Sequence, residues 1–177
     1  MNIKIVSPYI GPIGGTEVLS LNLAKLLSNN GHSVELLTSN IGHDKQPKYE
    51  IGTTILGPNL KITRFNHINR NKKDRLWEDN FLKDPGNLFE NYDKEAFKIL
   101  RNSSIIDSTN FITDISPNLP DMYEYLRINQ NNYDKVIFTQ YLAATTLLGV
   151  DYVPKSKSLI LMALHKENLA VLSCYRK

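Results

Sequence analysis

"SPYIGPIGGTEVLSLNLAKLLSNNGHSVELLTSN", residues 7–40, is the stretch whose reading decides the fold. Upstream of it, Ile3, Ile5 and Val6 form a short apolar run that ends at Pro8 and reads as a buried strand. Gly11, Gly14 and Gly15 follow at once. Beyond them Leu19, Leu23, Leu26 and Leu27 recur at helical spacing, while Asn22, Lys25 and Asn29 fall off that face. This pattern predicts an amphipathic helix seated on those four leucines. Thr16 is the expected cap, and Glu17 in the first turn suits the positive end of the helix dipole. Gly31 after Asn30 is the expected stop, and Val34, Leu36 and Leu37 make a second strand. Strand, glycine loop, helix and strand in this order form a βαβ unit.

Working outward, "KITRF" (residues 61–65) reads as a third strand, and Leu88, Tyr92, Ala96, Ile99 and Leu100 share one helical face. Leu119, Met122, Tyr123 and Leu126 fit a helix that starts near Pro117 and Pro120. "YDKVIFTQ" (residues 133–140) reads as a buried strand. A short helix carrying Ala143, Ala144, Leu147 and Leu148 then stops at Gly149. "SLILMALH" (residues 158–165) is another apolar strand, and "KENLAVLSCYRK" a closing helix. No internal repeat or interdomain linker interrupts the alternation. Strands alternating with helices predict an α/β protein: a doubly wound parallel sheet covered on both faces, in a single domain of 177 residues.

Hydrophobic residues make up 41% of the chain and charged residues 22%, which suits a packed globular core. A net charge of +3 is too mild to imply nucleic acid, and no nucleic-acid module signature is present. The single cysteine, Cys174, excludes an internal disulfide framework and fits a reducing compartment. "NIKIV" after Met1 is too short and polar-flanked for a signal peptide, and no apolar run is long enough to cross a bilayer. A cytoplasmic protein is expected, with peripheral contact at the inner membrane surface left open. Residues 61–75 bear on that alternative. They hold Lys61, Arg64, Arg70, Lys72, Lys73 and Arg75 against one acid, Asp74. This is either a solvated loop or a patch facing phosphates or anionic lipid.

Several chemistries are excluded by missing motifs. The phosphate loop G-x-x-x-x-G-K-[ST] and the dinucleotide fingerprint G-x-G-x-x-G are both absent. The second strand ends in Thr38, Ser39 and Asn40, without the acid that would hold a ribose. No G-x-S-x-G nucleophile elbow, no H-E-x-x-H and no paired cysteines occur, and no two aspartates lie two apart as a metal clamp would need. The candidates that remain gather where strands should end. Backbone N–H groups of Gly14, Gly15 and Thr16 at a helix start can face a phosphate; the glycines can equally serve a tight turn. His165 closes an apolar strand and can hydrogen-bond a sugar hydroxyl or a phosphate, or a loop carbonyl. Glu167, Thr139 and Tyr141 lie at the rim of the same predicted edge, where ligands of open α/β sheets bind.

Taken together, these segments resemble the N-terminal half of a GT-B glycosyltransferase, closest to glycosyltransferase family four. "PYIGPIGGTEVLSLNLAKLLSNNGHSVELLT" resembles that family's opening G-G-x-E loop, amphipathic helix, "GH-x-V" and second strand. "YDKVIFTQYLAATTLLG" resembles its later strand ending in a tyrosine. "LILMALHKEN" resembles the strand ending in a histidine followed by acids, with Lys166 in place of the middle acid. The resemblance implies a Rossmann-like domain that holds the acceptor side of a retaining sugar transferase. A nucleotide sugar would be the donor, a glycan or lipid-linked molecule the acceptor, and no metal or other cofactor would be required. It implies that Gly14, Gly15, Thr16 and Glu17 line the phosphate or acceptor side, that His165 is catalytic and contacts the transferred sugar, and that Tyr141 and Glu167 are rim contacts. Family members carry a second domain with two glutamates eight apart, a spacing absent here. The expectation is therefore residues 1–177 as the N-terminal domain alone, inactive by itself and completed by a C-terminal donor domain or a partner chain. The alternative is a non-catalytic binding module that uses the same sheet edge.

Overall fold

The computed structural model describes residues 1–11, 14–42, 46–68, 101–161 and 173–175. It is an α/β structure built on one six-stranded, mostly parallel mixed sheet. The strands are β1 (Asn2–Val6), β2 (Ser33–Ser39), β3 (Gly52–Gly57), β4 (Leu60–Phe65), β5 (Lys135–Phe138) and β6 (Ser158–Ile160). Four helices are described: α1 (Gly15–Asn29), α2 (Ile105–Ile115), α3 (Pro120–Ile128) and α4 (Ala144–Gly149). The sheet order is β3-β4-β2-β1-β5-β6, so β1 lies in the middle and the chain extends the sheet first to one side and then to the other. All pairs are parallel except the β3–β4 hairpin at one edge.

The chain divides into two compact units. One comprises Met1–Ile68 with Pro117–Ala163 and carries the whole sheet; the other comprises Asn69–Ser116 with Leu164–Lys177. In the second unit Ser104 caps α2 by accepting a hydrogen bond from Asp107 N at 3.0 Å, and Cys174 N donates to Ser108 Oγ at 3.0 Å.

Period-2 alternation gives each face of the sheet its own core. Ile3 and Ile5, Val34 and Leu36, and Leu60 and Ile62 pack with Ala24 of α1 on one face. Val6, Leu37, Phe65, Val136 and Phe138 pack with Leu119, Met122, Tyr123 and Leu126 of the α3 segment on the other. The register matches depth to depth: Ile5 lies beside Leu36 on one side and Ile137 on the other.

Helix α1 occurs where expected but is turned differently. Its buried residues are Glu17, Ser20 and Ala24, while Leu19 and Leu26 are 51% and 59% exposed. Small Ser20 and Ala24 let the helix axis approach the sheet closely, and Leu21, Leu23 and Leu27 flank that line. Thr16 is not the cap either; the cap position is Gly14, and no side chain there accepts a hydrogen bond. At the other end the helix closes as read. Gly31 takes φ 82°, with Gly31 N bonding Ser28 O and His32 N bonding Leu27 O. That is the paired geometry of a Schellman cap.

The helix over Leu119 to Leu126 is α3, with Pro120 in its first turn and Met122, Tyr123 and Leu126 buried. The short helix ending at Gly149 is α4. Gly149 serves packing there rather than a turn, since a Cβ would come within 3.0 Å of the Phe138 ring. The expected helix at Leu88 to Leu100 and the closing helix after Lys166, apart from a turn at Ser173–Tyr175, lie outside the described residues. So does the end of the strand leading to His165.

One feature of the sheet is polar. Lys4, Glu35 and Lys61 are register partners across β1, β2 and β4, so three charges form a row inside the sheet. Glu35 is 2% exposed. Its carboxylate accepts hydrogen bonds from Lys4 Nζ, from Thr63 Oγ1 at 2.5 Å and from Tyr125 OH at 3.1 Å, and Lys61 Nζ lies 3.4 Å away. Burial by itself would raise the Glu35 pKa, but the bonds from Lys4 and Thr63 and the two ammonium charges lower it below the ordinary carboxylate value. A carboxyl whose folded-state pKa is depressed stabilises the fold above its unfolded pKa. That contribution is lost as pH falls through the folded value. Stability should therefore decline on acidification below about pH 4.5, the ordinary value. Glu35→Gln, which leaves Lys4 without its counter-charge, should cost on the order of 3 kcal/mol at neutral pH and flatten the acid branch. Urea denaturation of both proteins from pH 3 to pH 7 measures the two effects together.

Candidate functional site

β1, β2, β4 and β5 all point their carboxyl ends to one edge, where α1 begins. The backbone there is tied across strands: Ser7 N donates to Leu37 O at 3.0 Å, Thr139 N to Val6 O at 3.1 Å and Asn40 N to Phe65 O at 2.9 Å. A cluster of hydroxyls holds the start of α1 against this edge. Ser20 Oγ lies 2.9 Å from Thr139 Oγ1 and 3.3 Å from Ser7 Oγ. Thr139 Oγ1 donates to Val6 O at 3.1 Å, and Ser7 Oγ to Tyr9 O at 2.8 Å. Thr139, read as a strand-end hydroxyl, does follow the last residue of β5; it is buried and joins α1 to β1. Ser39 Oγ donates to Pro8 O at 2.6 Å, which fixes the chain leaving β1.

Of the sequence-designated residues, the structure brings Gly14, Gly15, Thr16 and Glu17 together at the N-terminus of α1. Tyr141 follows β5 at the same edge, half-buried. His165 and Glu167 lie outside the described residues. Glu17 is 3% exposed and stands against Gly14. A Cβ on Gly14 would collide with its carboxylate, whose Cδ would be only 3.0 Å away. Burial first, and then the negative charge of Glu17, push the Tyr9 phenol up to about 12. The helix terminus thus already has a resident anion on the Gly14 side.

Gly15 differs. It begins the helix outside the left-handed region, and a Cβ there would meet no atom of the described residues within 4 Å. Among the described residues, neither backbone geometry nor packing requires a glycine at that position. No side chain at the cap position accepts from the first N–H groups of α1.

Two buried hydroxyls at the edge, Thr38 Oγ1 on β2 and Thr145 Oγ1 on α4, have no hydrogen-bond partner among the described residues. Among those residues, no group of three or more His, Cys, Asp or Glu side chains could hold a metal. No helix there is long and apolar enough to cross a membrane.

The basic stretch at residues 61–75 is only partly described, and its two described cations are engaged internally. Lys61 reaches Glu35, and the Arg64 guanidinium lies 4.9 Å from the Tyr49 ring centre and donates to Thr54 Oγ1 at 3.3 Å. A free cationic patch cannot count those two at full strength.

Sequence reading missed Ser7 and Ser20 as the supports of the glycine pair. A serine in place of an apolar residue on the buried line of α1 was the available signal.

No family model matches the chain, and no curated protein matches it either.

The two adjacent glycines should respond oppositely to alanine. Gly15→Ala should raise stability by about 0.4–1 kcal/mol, because the position is helical and open. Gly14→Ala should cost about 1–3 kcal/mol by displacing the Glu17 carboxylate. In a Glu17→Ala background that cost should largely vanish. A double-mutant cycle in urea, built on Gly14→Ala and Glu17→Ala, measures the coupling.

Proposed function

We propose that the chain is a Rossmann-like, doubly wound half of a GT-B glycosyltransferase, the acceptor-side domain of a retaining enzyme that uses a nucleotide sugar. The observation that carries the reading is Gly15. It is a glycine at a helix N-terminus, on the carboxyl edge of a parallel sheet, required by neither backbone nor packing among the described residues. Keeping a side chain out of a ligand's way is a physical reason for a glycine there. The resemblance of the glycine loop, "GH-x-V" and the "LILMALHKEN" segment to glycosyltransferase family four supplies the ligand's chemistry.

In this reading the N–H groups of Gly15 and Thr16 face the diphosphate of the donor, and His165 hydrogen-bonds the transferred sugar. Glu17 orders the loop from the Gly14 side instead of touching the ligand. Ser20, Thr139 and Ser7 fix the helix start so that the N–H groups are held in place before binding, which is how positioning lowers a barrier. The donor-gripping glutamates belong to a separate domain, and a glycan or lipid-linked acceptor completes the reaction.

Titration with uridine diphosphate and guanosine diphosphate, followed by amide resonances, tests this. At least one should shift Gly15 and Thr16 saturably. Gly15→Val, at an exposed position where a Cβ meets no described residue, should weaken that binding about tenfold or more without lowering the melting temperature. Equal affinity in Gly15→Val would leave the binding-module reading of this edge, with the phosphate placed elsewhere.

A further inference from the structure

At the opposite end of the strands, the row of charges opens into a pocket of about 290 Å³ lined by Asn2, Lys4, Ser33, Glu35, Lys61, Tyr125, Asn129 and Asn132. Every one of these side chains is polar, which is unusual for a cavity floored by a central sheet. Asn2, Ser33 and Lys61 stand at the first or second positions of β1, β2 and β4, so the pocket belongs to the amino ends of the strands. It is separate from the glycine edge.

The hydrogen-bonding account of the pocket is unbalanced in one direction. The Glu35 carboxylate is fully used: Thr63 and Tyr125 bond one oxygen, and Lys4, Lys61 and Tyr125 approach the other. The lysines are not. The Lys4 side chain is 10% exposed and its ammonium donates only to Glu35 among the described residues, with the Tyr125 ring 5.9 Å away. An ammonium has three N–H donors, so two remain for the pocket. Lys61 spends one long contact, at 3.4 Å, on the same carboxylate. Asn132 Nδ2 bonds Asn129 Oδ1, and Asn129 Nδ2 bonds Tyr125 O; each amide keeps a second N–H. Two cations around one neutralised carboxylate leave the walls net positive and rich in unspent donors.

We propose that this pocket binds a small tetrahedral oxyanion, phosphate being its simplest form, between the ammonium groups of Lys4 and Lys61 and the amides of its rim. Lysine acts on phosphate as a point charge, and a tetrahedral anion offers oxygens toward the sheet and the rim at once. Glu35 is not the ligand's competitor. It holds Lys4 in place and lies 3.4 Å from the Lys61 ammonium, so part of the side-chain entropy of the site is already lost before binding. The inference is independent of the proposed transferase activity, because none of its residues touches the glycine edge.

The test is a titration of the chain with sodium phosphate against sodium chloride at matched ionic strength. It is read by the side-chain amide resonances of Asn2, Asn129 and Asn132 and by melting temperature. Phosphate should shift those amides saturably and raise the melting temperature; chloride should do neither. Lys61→Ala and Lys61→Gln, at a half-exposed position that the fold tolerates, should each weaken the affinity about tenfold or more. Gly15→Val should leave it unchanged, which separates this pocket from a phosphate bound at the start of α1. Absence of a saturable shift, or the same affinity in both Lys61 variants, would overturn the proposal and leave the pocket filled by water alone.

Discussion

A carboxylate in the middle of a sheet is the constraint around which this structure is arranged. Glu35 lies on the central strands at the depth of Lys4 and Lys61, with Thr63 beneath and Tyr125 reaching in from α3. Burying a charge in this way is tolerable only when nearly every lone pair is used. That requirement fixes geometry as well as energy. Sliding β1 by one residue against β2 would move Lys4 to the opposite face, among the side chains that pack under α1, and strand Glu35. The row therefore acts as a register mark for three strands. It also fixes where α3 sits, because the Tyr125 hydroxyl has to meet both carboxylate oxygens.

The two ends of the sheet are consequently different chemical environments. The amino ends carry a row of charge, two lysines around one carboxylate. The carboxyl ends carry neutral hydroxyls: Ser7, Ser20 and Thr139 bond one another, Thr139 also bonds the Val6 carbonyl, and Ser39 bonds the Pro8 carbonyl. A glycine pair resting on such a lattice is held by short, uncharged contacts that salt screens little. Its one charge, Glu17, is buried against it. The start of α1 is thus a fixed platform, and Gly15 is the part of it open to space.

Much of this was readable because apolar periodicity reports directly on burial. The βαβ unit, α3 and α4 follow from runs such as Ile3, Ile5 and Val6 or Leu119, Met122 and Leu126. The rotation of α1 was not readable from its leucines, since close helix–sheet packing chose the small residues Ser20 and Ala24 for the contact. β3 was missed because nearly all its residues are exposed, so it has no apolar face to betray it. Its signal was the two-residue Pro58–Asn59 turn between two β-branched runs. α2 carried a capping pattern, Ser104 followed three residues later by Asp107, ahead of Phe111 and Ile112. The glycine site was legible as a location. Which glycine answers to a neighbour and which does not depended on where the Glu17 side chain folds. The charged row had a sequence signal too, a charge inside each of three apolar strands: Lys4, Glu35 and Lys61. Its meaning rested on register, which a single strand does not reveal.

The placement of β1 between β2 and β5 also shapes how the chain reaches its native state. Pairing β1 with β2 closes a loop of about thirty residues, with α1 and its Schellman stop already local in sequence. Pairing β1 with β5 brings Val6 beside Phe138, across more than a hundred residues. Loop-closure entropy grows with separation, so the β1–α1–β2 side with its β3–β4 hairpin is the nucleus that topology favours, and the β5–β6 side docks afterwards. Until it does, β1 presents an open edge flanked by Ile3, Ile5 and Val6. Of the two pairings β1 needs, the one with β5 is the costlier in chain entropy, and it is the one a second copy of β5 could supply in its place.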